Sequence, residues 1–150
     1  MKRWSLISIV GGLLIAVGST TKCDAQADKP ADGAKLDGAW RMSSYVPPDE
    51  TEYANLPEGW QETKLVVGGR FVWTLASDGV ISRSGGGKVS VRDDQYVEQI
   101  EGVSDDGDKW MVGQKGEFKF KLEGDQWSID GVIKTKAGEA KIKEIWERVK

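Results

Sequence analysis

The sequence predicts an all-β domain, an antiparallel up-and-down β-barrel of about eight to ten strands. Three observations carry that prediction. Apolar and polar residues alternate along most of the chain, as in Phe118-Lys119-Phe120-Lys121-Leu122. A period of two puts one strand face on a core and the other in water. Short turn signals separate the runs: Gly68-Gly69, Ser77-Asp78-Gly79, Glu123-Gly124-Asp125 and Lys136-Ala137-Gly138. Glycine supplies the positive φ that tight hairpins need. Helical spacing, by contrast, is hard to find. Hairpins in such a series close most simply into a barrel, because closure removes the exposed edges.

The N-terminus reads as an address. Lys2 and Arg3 precede an apolar run from Leu6 to Val17, and Ala25-Gln26-Ala27 follows as an A-x-A cleavage pattern. The run is shorter than the ~20 residues of a membrane span. Residues 1–27 are therefore expected to be a secretory signal peptide, cut after Ala27 with Ala25 as the second choice. The mature chain is expected outside the cytoplasm, periplasmic or secreted. Cys23 offers a minor alternative, a lipid anchor of a bacterial envelope lipoprotein, although Lys22 stands where a small residue is usual. Residues 28–36 (DKPADGAKL) are polar and aperiodic, a flexible leader. The barrel domain is expected over 37–150, enough chain for one closed core.

Strands are predicted at 38–46, 62–68, 70–76, 79–84, 88–93, 95–102, 117–122, 126–134 and 140–149. Gly85-Gly86-Gly87 interrupts this series, as a bulge or sharp bend would. A phosphate-cradling loop is the other reading of three glycines, but no helix follows to supply its N-terminus. Two long connections remain. The first, 47–61, holds three prolines and also Tyr53, Leu56 and Trp60; the second, 102–116, holds Trp110 and Met111. Long loops are often binding loops, though Trp110 and Met111 also suit tucking back onto the barrel. Asp105, Asp106 and Asp108 lack the alternating oxygen spacing of a calcium loop and read as a solvated turn.

Composition narrows the function classes. The chain has no histidine and one cysteine. That excludes Ser-His-Asp and Cys-His catalysis, an internal disulfide framework and Cys-rich zinc sites. Without residues 1–27 the chain carries 18 basic and 23 acidic side chains, net −5. An acidic domain without a basic cluster is a poor binder of nucleic acid or anionic membrane. No cofactor and no metal site is expected.

Gly38-Ala39-Trp40 is a G-x-W on the first strand. Arg70-Phe71-Val72-Trp73-Thr74, the triple glycine, Tyr96 to Glu101, Lys121 to Trp127 and Lys143 to Lys150 follow in order. This order and spacing resembles the small bacterial lipocalin-like (calycin-type) domain families, several of them domains of unknown function. The resemblance spans almost all of 37–150. It implies a barrel with a central cavity and, for the wider superfamily, binding of small apolar molecules. It also implies that Trp40 sits at the closed end of the barrel with Arg148 packed over it.

Interior positions are expected for Met42, Val89, Val91 and Ile129, and for the candidate ligand contacts Phe71, Trp73, Tyr96, Ile100, Phe118, Phe120, Trp127 and Trp146. For each, packed core is the favoured reading, since a small barrel needs filling, and ligand contact the sharper one. Glu98 and Glu144 share their parity and would be candidate polar contacts if inward. Val97 and Ile145 offer the opposite register, so parity stays open. An inward carboxylate loses hydration and its pKa rises unless a partner compensates. The function expected is non-catalytic binding of a small, largely apolar or amphipathic molecule. The alternatives are an envelope structural or interaction domain with a filled core, and an enzyme using Tyr96 and Glu98 for proton transfer.

Overall fold

The computed structural model describes residues 35–150. The predicted signal peptide, Cys23 and most of the leader lie outside the described residues. Eight strands form one closed antiparallel barrel in chain order: β1 (Gly38–Tyr45), β2 (Trp60–Val67), β3 (Arg70–Ser77), β4 (Val80–Arg92), β5 (Gln95–Val103), β6 (Lys115–Glu123), β7 (Gln126–Thr135) and β8 (Gly138–Arg148). A 3₁₀ turn, Asp106–Met111, joins β5 to β6, capped by the Asp105 carboxylate on the Gly107 N–H. Among the described residues no helix is long and apolar enough to cross a membrane.

Every strand pairs with the next, and β8 returns to β1 with Trp40 opposite Arg148. The tight hairpins follow from their turn residues. Gly68-Gly69 and Asp78-Gly79 both take positive φ at both positions, the type I′ geometry whose twist matches that of the flanking strands.

Two sequence expectations need correction. The runs 79–84 and 88–93 are one strand, β4, so the predicted nine strands become eight. Gly85-Gly86-Gly87 does carry a bulge, a register shift between Gly86 and Gly87 against β5, yet pairing continues through it. These glycines permit close approach. A Cβ on Gly85 would lie 2.8 Å from the Trp73 indole, and one on Gly87 would overlap the Gln99 carbonyl. The second correction concerns Leu36, which the sequence places in a flexible leader. It is fully buried, and its carbonyl accepts a hydrogen bond from Trp40 Nε1 at 2.8 Å. Order therefore begins before residue 37.

The interior divides along the barrel axis. Strand direction brings Trp40, Val66, Phe71, Val91, Tyr96, Trp127 and Trp146 to one end, the base, where all are buried. Trp127 is the hub, edge-on to Trp40 and Tyr96 at 5.4 and 5.0 Å and stacked on Trp146 at 5.8 Å. Edge-on and offset rings complement each other's quadrupoles. Arg148 seals this end, its guanidinium 4.2 Å from the Trp40 ring centroid while it donates to the Asp37 and Lys35 carbonyls at 2.8 and 2.9 Å.

Candidate functional site

Above the base the barrel holds a cavity of about 220 Å³. Its floor is polar. Lys64 on β2 and Glu98 on β5 face each other across the interior at 2.7 Å, and both are buried. Tyr96 donates its hydroxyl to the same Glu98 oxygen at 2.5 Å. Alternation along β2 points Glu62, Lys64 and Val66 inward and leaves Leu65 and Val67 exposed.

Lys64 meets an aromatic cage from below. Its ammonium lies 4.7 Å from the Trp146 ring centroid, 5.4 Å from Trp127, 5.7 Å from Phe71 and 5.8 Å from Tyr96. A desolvated cation gains from each ring face. Burial pulls the Lys64 pKa down, but the charges of Glu98 and Glu144 outweigh it and hold the ammonium above its ordinary value. The Tyr96 phenol is pushed well up, first by burial and then by Glu98, so it stays a neutral donor.

Two further carboxylates stand above this floor. Glu144 on β8 accepts from Trp146 Nε1 at 3.0 Å. Glu62 on β2 accepts no hydrogen bond from a described residue. Burial raises the Glu62 pKa from the ordinary 4.5 to about 7, with Glu144 as the second cause. Glu144 is also raised, again first by burial, with Lys64 opposing the shift.

Apolar side chains complete the wall, Trp73 and Leu75 on β3, Ile100 on β5, Phe118 on β6, Ile129 and Ile133 on β7 and Ile142 on β8. Trp110 and Met111 on the 3₁₀ turn border the mouth. That turn is pinned by Asp108, whose two oxygens accept from Arg83 at 2.6 Å each. Asp108 is buried, so the aspartate-rich segment is not simply a solvated turn. A second hollow of about 260 Å³ lies beneath Leu56, Pro57 and Trp60 of the β1–β2 connection and shares Glu62, Leu75 and Glu144 with the first.

The residues singled out in the sequence thus divide. Trp73, Glu98, Ile100, Phe118 and Glu144 border the cavity. Phe71, Tyr96, Trp127 and Trp146 do not; they fill the base, because their strand positions lie near its turns. Phe120 is half-buried and packs on the core away from the cavity. Both ambiguous carboxylates, Glu98 and Glu144, point inward. Glu62, Lys64 and Arg83 escaped the sequence reading.

A family model described as a domain of unknown function, DUF4488, matches residues 35–150. The chain belongs to the DUF4488 family. The matched stretch coincides with the described barrel, so cavity, floor and base all lie within the DUF4488 domain. No curated protein matches the sequence. Among solved structures, an uncharacterised protein from Bacteroides eggerthii is similar, at 12% identity and a TM-score of 0.46, over 72% of this chain and 98% of that one.

Proposed function

We propose that this DUF4488 domain is an exported, lipocalin-like barrel that holds a small, largely apolar ligand without transforming it. One observation carries the reading. The barrel is packed solid at its base and hollow at its mouth, where apolar walls surround a few fixed polar groups. That combination is the usual make-up of a small-molecule site. In the enzyme alternative the named pair is already engaged in the floor, one Glu98 oxygen accepting from both Lys64 and Tyr96. Export rests on the signal-like N-terminal sequence.

Native mass spectrometry of the mature protein, purified from its own host, tests this. The expected result is an additional small-molecule mass that is lost on denaturation. A bare mass that stays bare after incubation with host metabolite extract would move the domain to a structural role.

A further inference from the structure

The cavity's charge inventory is uneven. Three carboxylates, Glu62, Glu98 and Glu144, face inward against the ammonium of Lys64, and that ammonium is committed to Glu98 at 2.7 Å. The basic side chains at the mouth do not redress this. Arg83 is held by Asp108, Lys115 is paired with Glu117 at 2.7 Å, and Lys134 is exposed at the rim. Glu62 and Glu144 both border the two hollows, so they stand where the free volumes meet. Among the described residues Glu62 has no hydrogen-bond donor, and Glu144 has only the Trp146 indole N–H on one oxygen. An anionic head group would enter against this charge. A cation would be drawn to it, much as Lys64 is drawn to Glu98 over the aromatic base.

We propose that the site takes a small organic amine, its protonated nitrogen held between Glu62 and Glu144 and its hydrocarbon part against Trp73, Leu75 and Ile142. This deepens the binding function proposed above and rests on it. The size is limited. The barrel cavity of about 220 Å³ and the adjoining hollow of about 260 Å³ suit a compact molecule.

Binding should depend on pH. The groups facing Glu62 are Lys64 on its own strand, Tyr45 on β1, Arg83 on β4, Glu98 on β5 and Glu144 on β8. Lys64 and Arg83 stay charged through neutral pH. The Glu62 carboxyl, raised to about 7, is the group that changes over this range, and Glu144 is shifted in the same direction. Protonation removes the attraction, so an amine that is cationic throughout should bind at pH 8 and weaken by pH 5.

The experiment uses three probes of one size, hexylammonium, hexanol and hexanoate, titrated by calorimetry into the mature protein. Hexylammonium is expected to bind at pH 8 at least tenfold more tightly than the other two and to lose at least tenfold by pH 5. Glu62→Gln and Glu144→Gln, each checked for an unchanged far-ultraviolet spectrum, should each cost the amine about tenfold and leave hexanol unaffected. An amide oxygen at position 144 can still accept from the Trp146 indole N–H, so at least that variant should fold. Hexanol or hexanoate binding as tightly as the amine overturns the amine assignment and leaves the binding function standing. Failure of all three to bind overturns both.

Discussion

The base and the mouth of this barrel are built from the same eight strands and solve opposite problems. At the base, Trp40, Tyr96, Trp127 and Trp146 are fully buried, with Trp40 and Tyr96 edge-on to Trp127 and Trp146 stacked on it. At the mouth the inward residues are mostly half-buried, Glu62, Leu75, Ile133, Ile142 and Glu144 among them. Interlocked rings fill one end, while mostly aliphatic chains, with Trp73 and Phe118, leave the other hollow. Lys64 and Glu98 mark the boundary. The difference teaches that closure alone does not create a cavity; the side-chain sizes along each strand decide where it lies.

The largest expected effect comes from breaking the base. Trp127→Ala removes the hub ring, and the closed wall around it cannot collapse into the space. A loss of about 3–5 kcal/mol is expected, read from the urea unfolding midpoint. A loss below about 1 kcal/mol would mean that the base is not the stabilising half.

Next is the boundary. Lys64→Met leaves Glu98 buried with only the Tyr96 hydroxyl, at a cost of about 3 kcal/mol. Adding Glu98→Gln should recover much of that loss, because no unpaired charge then remains. A double variant no more stable than the single one would show that the two groups are not coupled.

The mouth responds with the opposite sign. The Glu62 carboxyl, at about 7 in the folded chain against an ordinary 4.5, binds its proton more tightly folded than unfolded. Stability should therefore fall as pH rises from about 4.5 to 7, by up to ~3 kcal/mol. Glu144, raised in the same direction, adds to the slope. Glu62→Gln should flatten the slope and stabilise the protein at pH 8 by about 2 kcal/mol. Thermal unfolding across pH 4–8 reads both. A wild-type curve flat over that range would sink this account of the mouth.

Much of the fold was legible because its signals are local. Alternation at Phe118 and Phe120, and at Trp127 and Ile129, needs only one strand to be seen. The triple glycine misled for a physical reason. Glycine usually punctuates, but here it admits the Trp73 ring and the β5 backbone to close quarters, a requirement set by other strands. The site was less legible. In β2 the apolar Leu65 and Val67 suggest the buried face, yet they point outward, about half exposed. Lys64 takes the inside because Glu98 awaits it 34 positions away across the barrel. No window of sequence holds both partners. Glu98 and Glu144 could be suspected from parity alone, whereas Glu62 becomes visible only once the parity of β2 is fixed.

The seam between β1 and β8 has a consequence for how the chain acquires its shape. Every other strand pairs with its immediate neighbour, contacts that form early at little loop-closure cost. The seam alone joins distant parts, the Arg148 guanidinium reaching the Asp37 carbonyl across 111 positions. A growing chain can lay down its hairpin partners in turn and still be an open, curled sheet. Its two edges meet only when the last strand is delivered, so losing that strand should leave a sticky ribbon rather than a smaller barrel.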